Sequence, residues 1–169
     1  DYAIPASVYH KCWAESNHFK NGRSYYGIKL PLGFDFCGPL FFTHYSFLGL
    51  DPHGLKDRYA DYWEQNKNHV LINYEHVLKN PKGFKGYGPD CWGLTASDNH
   101  EGYNAHSPDN DLGVISPTAA LSSFPYTPEY SMQALKHFYY KLGPKIWGQY
   151  GFVDAFNEMP DKLLVVIGD

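Results

Sequence analysis

An amphipathic pattern between Lys56 and Leu78 constrains the fold of this chain more than any other feature. Side chains suited to one buried face recur there at steps of three and four residues, which is the period of an α-helix. The face consists of Tyr59, Tyr62, Trp63, Asn66, Val70, Asn73, Tyr74 and Val77. Pro81 and Gly83 follow and predict where the helix ends. Two Asn residues are unusual in a pure core, so we expect one end of this helix to border a polar cavity.

Other segments also favour helices. Thr127 is a good N-cap, Pro128 suits the first helical position, and an apolar stripe continues from there to Leu142. Helices are further predicted over residues 6–18, 40–48 and 118–123. Period-two alternation is scarce and no hairpin dipeptide separates two strand-like runs, although residues 23–33 can form a short extended excursion. The sequence therefore predicts an all-α fold.

Size and charge narrow the function. A length of 169 residues suits a single domain over 1–169, and the net charge of −4, without a basic patch, argues against a nucleic-acid partner. The longest apolar runs are too short to span a membrane, and no signal peptide is visible. Cys12, Cys37 and Cys91 form no C-x-x-C pair, so we predict buried thiols and no metal site.

Residues 83–117 form a long connection with little helical periodicity, rich in Gly, Asp, Asn, His and Pro. Compact domains rarely contain so long a connection unless it is functional or disordered, and its aromatic residues argue against disorder. We therefore expect an ordered binding loop. The chain as a whole is 18% aromatic, with 15 Tyr, which suits walls that are partly apolar and partly polar, as sugar sites are.

The stretch 92–103 gathers the side chains that a sugar site uses. Aromatic rings can stack on a pyranose face, while carboxylate, amide and imidazole groups can hold its hydroxyls. The predicted substrate-binding residues here are Trp92, Asp98, Asn99, His100 and Tyr103. Asp98 or Glu101 is also a candidate acid or base. The alternative is a turn whose Asx side chains bind their own backbone.

Other chemistries find no support. The chain lacks a G-x-S-x-G elbow, a phosphate-binding P-loop and a G-x-G-x-x-G fingerprint. The run 109–111 has only the beginning of a calcium loop, and His100 and His106 lack zinc-ligand spacing. We predict no cofactor. Among the helical carboxylates, which usually form a solvated face, Glu15 is the one we single out as a catalytic candidate because it follows Trp13 beside a loop.

Four long runs resemble a known family. The runs 25–33, 38–52, 91–98 and 123–131 are similar to the glucoamylase-like domain, which includes the endo-β-1,2-glucanases of glycoside hydrolase family 144. The resemblance extends over about residues 4 to 160. It implies an (α/α)6 toroid, here incomplete at both ends, and a bacterial protein that is secreted or periplasmic. It also implies hydrolysis of a β-linked glucan, β-1,2-glucan foremost, with inversion, and a substrate contact at Tyr25.

The resemblance does not transfer either catalytic carboxylate. The family's general acid is expected on a segment upstream of Ile4, and its base in an Ile-Asp-Gln-Gly-Pro stretch just beyond the run 154–157. Residues 161–169 read Asp-Lys-Leu-Leu-Val-Val-Ile-Gly-Asp instead, which leaves Asp169 as a distant candidate. The catalytic residues are therefore unassigned, and the chain is predicted to be a partial catalytic domain that lacks one or both carboxylates.

Two alternatives stay open at this stage. The first is a non-catalytic carbohydrate-binding module that uses the 92–103 stretch. The second is a helical half-domain that assembles with a second chain or with its missing half, because a half toroid would expose a large apolar face. In every case the expected ligand is a glucan oligosaccharide or polysaccharide, with no nucleic acid and no membrane span.

Overall fold

The computed structural model describes residues 3–99, 101–159 and 162–166, with residue 159 and residues 162–166 described through their backbone alone. Helices occur where the periodicity predicts them, although most are shorter. They are α1 (Ala6–Val8), α2 (Phe41–Ser46), α3 (Tyr62–Lys79), α4 (Pro117–Leu121), α5 (Pro128–Lys136) and α6 (Gly143–Ile146). Two of them continue in wider helical turns, α1 over Tyr9–Ala14 and α5 over His137–Leu142.

The prediction of an all-α toroid is wrong, because the described residues also form antiparallel hairpins. The paired strands are β1 (Lys20–Tyr25) with β2 (Ile28–Leu32), β3 (Ala96–Asn99) with β4 (Gly102–Ala105), β5 (Trp147–Gly148) with β6 (Gly151–Phe152), and β7 (Ala155–Met159) with β8 (Lys162–Val166). The strands are two to six residues long, so alternation has little length in which to show. At the first hairpin Tyr26 and Gly27 both take positive φ, +55° and +83°. This places a hairpin turn at a dipeptide other than the usual Asn-Gly or Asp-Gly.

Helix α3 organises the molecule because both of its sides are buried. One side packs in the main core, with Val70, Tyr74 and Val77 against Trp92 and Phe156 among others. The opposite side carries Ile72, which packs with Leu30 and Cys37 beneath the β1–β2 hairpin. A helix buried on two sides needs partners for its polar side chains, because an unpaired buried polar group is costly.

Two buried side-chain amides of α3 hydrogen bond to the backbone of neighbouring segments. The Gln65 side chain accepts the Leu32 N–H at 3.1 Å and donates to the Leu32 carbonyl at 3.2 Å. Asn73 binds Leu94 in the same two-way manner, at 3.1 and 3.2 Å. The buried Asn73 thus ties the binding loop to α3. Asn66 lines a cavity and donates to the Tyr126 hydroxyl.

A buried carboxylate fixes the connection 83–117 near its C-terminal end. Asp111 accepts hydrogen bonds from His76 at 2.8 Å, from the Tyr87 hydroxyl at 2.6 Å and from the Gly113 N–H at 2.9 Å. Burial acts to raise the pKa of Asp111, but the hydrogen bonds from His76, Tyr87 and Gly113 outweigh it and leave that pKa below its usual value. The Asp111 carboxylate therefore accepts its hydrogen bonds from donors within the protein itself.

The cysteines follow the prediction in part. Cys37 and Cys91 are buried free thiols, whereas Cys12 is exposed, contrary to the expectation. No helix in the described ranges has the length and apolarity needed to cross a bilayer. Across these same ranges, no three His, Cys, Asp or Glu side chains are grouped so that they could bind a metal ion.

Candidate functional site

A cavity of about 160 Å³, with both polar and apolar lining, lies where the binding loop meets two helices and the segment before β7. We call it the Asp154 pocket. Its lining residues are Phe41, His44, Tyr45, Thr95, Ala96, Tyr103, Thr118, Ala119, Ser122 and Asp154. They come from α2, the β3–β4 hairpin with the residue before it, the α4 region and the residue before β7, so only the folded chain brings them together.

The β3–β4 hairpin presents one of its faces to this pocket. Asp98 pairs directly opposite Tyr103, and Ala96 opposite Ala105. Residues directly opposite each other, and those two positions along a strand, project from the same face of a sheet. Ala96 and Tyr103 line the pocket, and Asp98 belongs to their face. Two of the predicted site residues, Asp98 and Tyr103, are thus neighbours at the candidate site.

Asp154 is joined to the same hairpin. Its carboxylate accepts the Asp98 backbone N–H at 3.2 Å, which links residues 56 positions apart in the sequence. The segment that carries Asp154 is held in turn by Ile115 and Phe156, whose backbones exchange hydrogen bonds of 2.8 and 2.9 Å. The pocket therefore contains a fixed carboxylate.

Exposed rings and hydroxyls complete the lining. Tyr45 and Tyr103 are 73% and 71% exposed, so faces of both rings remain open to solvent. Thr95 accepts the Phe41 N–H through its Oγ1 at 3.1 Å, which leaves the hydroxyl hydrogen free to donate elsewhere. His44 is half-buried beside Ser123, and burial lowers its pKa to about 4, so it is neutral at neutral pH.

A larger cavity, of about 610 Å³, lies between the N-terminal segment and the start of α3. Its walls are mainly apolar and include Trp13, Phe34 and Phe42. Among the residues that the structure describes, no Asp or Glu lines it. It therefore offers no carboxylate as acid or base, although His18 lines it, so size alone does not make it the better candidate.

The structure gives Trp92 and Asn99 different surroundings from those expected. Trp92 is 0% exposed, meets Tyr74 edge to face, and donates its indole N–H to the Tyr130 carbonyl at 3.4 Å. Its ring has no face open to a sugar, so its position is that of a core residue. Asn99 is buried on the opposite hairpin face, beside His106, and accepts the Glu101 N–H at 2.7 Å, which is the Asx turn weighed as the alternative.

The remaining candidates lie away from this pocket or outside the described residues. The Tyr25 hydroxyl donates to Asp35 at 2.7 Å on the β1–β2 hairpin. Glu15 pairs with Arg58 at 2.8 Å and lines a separate cavity of about 580 Å³. Residues His100 and Asp169, both named from the sequence, fall outside the described ranges.

Sequence reasoning missed His44, Tyr45 and Asp154 as site residues. A signal was nevertheless available in the long runs that carry the family resemblance. His44 and Tyr45 lie in the run 38–52 and Thr95 in the run 91–98, whereas Asp154 begins the short run 154–157, beyond which the family's base is expected. These runs are far apart in sequence and converge on one cavity.

The arrangement is suited to a small hydroxylated ring. Tyr side chains at the rim can pack on C–H faces, and a carboxylate, an imidazole and several hydroxyls can exchange directional hydrogen bonds with sugar hydroxyls. One lining carboxylate, Asp154, and a second on the adjoining hairpin face, Asp98, are available for acid–base chemistry.

Comparisons with known proteins agree on one family. Residues 1–166 match the family model described as "Putative glucoamylase". The chain is 44% identical, over 92% of its length, to an exo β-1,2-glucooligosaccharide sophorohydrolase (non-reducing end) from Parabacteroides distasonis, of which it covers 24%.

Two solved structures are also similar. An endo-β-1,2-glucanase from Chitinophaga pinensis, in complex with sophorotriose and glucose, is 61% identical with a TM-score of 0.87 over 93% of this chain and 39% of that one. A "putative glucoamylase" from Bacteroides uniformis is 67% identical with a TM-score of 0.89, over 92% and 38%. The chain thus spans about a quarter to two-fifths of the length of these relatives.

Proposed function

The chain belongs to the glucoamylase-like family, and on that premise we propose that it forms part of a glycoside hydrolase that acts on a β-linked glucan. β-1,2-linked glucan is the proposed substrate, because two of the similar proteins are named for β-1,2-glucan or its oligosaccharides. The observation that carries the proposal is the Asp154 pocket, where the predicted Tyr103 meets a fixed carboxylate, a second exposed Tyr and a neutral His.

The proposed mechanism is hydrolysis with inversion. An inverting glycosidase needs two carboxyl groups about 6.5–9.5 Å apart, one protonated and one that activates water. Asp154 and Asp98 are our candidates for carboxylates that contact the substrate. Asp154 is the single Asp or Glu among the described lining residues. We therefore expect this chain on its own to bind the sugar more readily than it hydrolyses it.

A non-catalytic carbohydrate-binding role is the second candidate. The same observation favours it, since a pocket with one lining carboxylate can orient a sugar without cleaving it. Release of reducing ends from linear β-1,2-glucan supports the hydrolase, and binding without release supports the binding module. Absence of both binding and release refutes the carbohydrate proposal altogether.

Assembly with a further protein segment remains part of the proposal. Large apolar side chains such as Leu48 and Tyr150 are 82% and 96% exposed, as on a surface that another segment could cover. If two copies associate, the melting temperature will rise with protein concentration, whereas that of a monomer will not move.

Export is likewise proposed, to the periplasm or beyond, because a polysaccharide does not cross a bilayer unaided. Cell fractionation of the source bacterium tests it.

A further inference from the structure

His44 is held in one orientation at the wall of the Asp154 pocket. Its Nε2 lies 3.1 Å from the Ser123 hydroxyl oxygen. That hydroxyl has a single hydrogen, and it donates it to the Ala119 carbonyl at 2.8 Å. Ser123 can therefore only accept from His44, so the proton of the neutral imidazole resides on Nε2.

The other ring nitrogen is consequently an acceptor. Nδ1 of His44 makes no hydrogen bond to any part of the chain that the structure describes. The His44 side chain is half-buried, but its Nδ1 is not one of the described side-chain atoms that are both enclosed and without a hydrogen-bond partner. Nδ1 is therefore accessible on a residue that lines the pocket. Burial, which lowers the His44 pKa to about 4, keeps this lone pair free of a proton at neutral pH.

We propose that His44 is a specificity-determining residue whose unprotonated Nδ1 accepts a hydrogen bond from one sugar hydroxyl in the Asp154 pocket. This inference rests on the proposed function and assigns a role within that site. An acceptor in a pocket wall discriminates between sugars, because a bound sugar without the matching hydroxyl displaces water from it and leaves it unpaired. His44 and Asp154 would then accept from hydroxyls at one side of the ring, while Thr95 donates.

A pair of substitutions separates the two ring nitrogens. His44→Gln keeps an N–H donor near the ε position for Ser123 but has no acceptor at the δ position. His44→Asn keeps an acceptor near the δ position but cannot reach Ser123. Sophorotriose binding by calorimetry at pH 7 should weaken about tenfold in His44→Gln and distinctly less in His44→Asn, since one hydrogen bond is typically about 1 kcal/mol or more. The reverse order, or wild-type binding in His44→Gln, overturns the proposal.

The wild-type chain provides a test that needs no variant to fold. Long-range ¹H–¹⁵N spectra distinguish the two neutral tautomers of His44, and we expect the Nε2–H form, with the Nδ1 resonance shifting when sophorotriose is added. A proton on Nδ1, or an Nδ1 resonance unmoved by a sugar that binds, contradicts the assignment. If the wild-type chain binds no sophorotriose at all, the proposed function fails first, and this outcome is distinct from the loss of the His44 contact alone.

Discussion

The carboxylate of Asp154 and the backbone N–H of Asp98 are hydrogen bonded at 3.2 Å, which fixes the residue before β7 against the β3–β4 hairpin. This bond occupies one carboxylate oxygen and orients the group at the pocket wall. The second oxygen, Oδ1, accepts from no backbone N–H of the residues that the structure describes and is available to a ligand. Asp154 is thus both a tether between two elements and the carboxylate that we place in contact with substrate.

Replacing Asp154 with Asn separates these two roles. The amide oxygen of Asn can still accept the Asp98 N–H, so the fold should be kept, while the negative charge at the pocket is lost. Hydrogen bonds to charged groups contribute about 1.5–3 kcal/mol, so sophorotriose binding by calorimetry should weaken by about 10- to 100-fold.

Glu15→Gln is the matched control for Asp154→Asn. Glu15 was also named from the sequence, but it pairs with Arg58 beside a different cavity. We expect unchanged sugar affinity in this variant. A strong loss in Glu15→Gln together with wild-type affinity in Asp154→Asn would locate the site at the other cavity.

The exposed rings of Tyr45 and Tyr103 should contribute to binding through their faces. Aromatic packing is typically about 0.5–1.5 kcal/mol, so Tyr103→Ala or Tyr45→Ala should weaken sophorotriose binding by roughly 2- to 10-fold. Tyr→Phe at each position keeps the ring and should retain most of the affinity. Tyr150→Ala is the control, since Tyr150 is 96% exposed and does not line the pocket. Equal losses in all three Ala variants would rule out a specific stacking role.

Trp92→Ala should act on stability, although the sequence suggested a sugar contact. Trp92 is completely buried in the main core, and truncation of a buried Trp costs about 3–5 kcal/mol. Urea denaturation should show a large fall in midpoint. Trp147→Ala, at a residue 51% exposed, should cost clearly less. A Trp92→Ala protein with wild-type stability and no sugar binding would restore the original interpretation.

Sequence patterns predicted the helices better than the strands. The helical period of α3 extends over five turns, and the helix ends at Asn80, whose backbone has a left-handed conformation. This helix can therefore be predicted from the sequence without tertiary information. Most hairpins were missed because their strands are short. The exception is the β1–β2 hairpin, which coincides with the extended excursion expected over residues 23–33, and its strand β2 alternates Ile28, Leu30 and Leu32 with Lys29 and Pro31. The turn at Tyr26 and Gly27 carries no Asn or Asp to mark it, and only the tertiary contacts of the hairpin reveal it.

Only part of the candidate site could be predicted from the sequence, for a related reason. Asp98 and Tyr103 lie in one stretch, so a local concentration of sugar-binding groups identified them. Trp92 lies in the same stretch, but no local pattern shows whether a ring faces the core or the solvent. His44 and Asp154 are 110 positions apart, and their shared cavity depends on how α2 and β7 pack against the hairpin.

Buried His69 predicts how stability responds to acid. Burial is the main cause that lowers its pKa from 6.5 to about 4, even though it hydrogen bonds the Gly38 carbonyl. Between these pH values the His69 imidazole is protonated in the unfolded chain but neutral in the folded chain. Stability is therefore complete above about pH 6.5 and is lost progressively as pH falls towards 4, by roughly 3 kcal/mol for this residue. His44, with a pKa lowered in the same way, adds to the effect.

Urea midpoints at pH 7 and pH 4.5 measure this loss. His69→Gln can still donate from its amide to the Gly38 carbonyl, but it has no titrating group. Its stability at pH 7 is expected to be lower than wild type, because the hydrogen bond between Thr43 and His69 Nδ1 is altered. The decisive quantity is the difference between the two pH values, which should be smaller in His69→Gln. The same difference in both proteins would show that His69 does not titrate as proposed.

Gly93 should be intolerant of a side chain because it packs against the start of α4. Its φ is +125°, and an added Cβ would lie 2.9 Å from the Ala120 nitrogen and 3.0 Å from the Ser116 carbonyl oxygen. These are backbone atoms of the segment that carries Thr118 and Ala119 into the pocket. Gly93→Ala must therefore either shift α4 or strain the loop, and both outcomes should lower stability and weaken sophorotriose binding.

Gly102→Ala isolates the packing contribution at Gly93. Gly102 has nearly the same φ, +121°, but no atom of the described residues lies within 4 Å of an added Cβ. It should show the backbone strain alone, about 1–3 kcal/mol for an unfavourable conformation. Gly93→Ala should cost clearly more in urea denaturation, because the steric clash with α4 adds to the same strain. Since Gly102 belongs to the pocket hairpin, its variant should bind sugar better than Gly93→Ala does if the position of α4 controls the pocket. Equal stabilities in the two variants would mean that α4 does not press on Gly93.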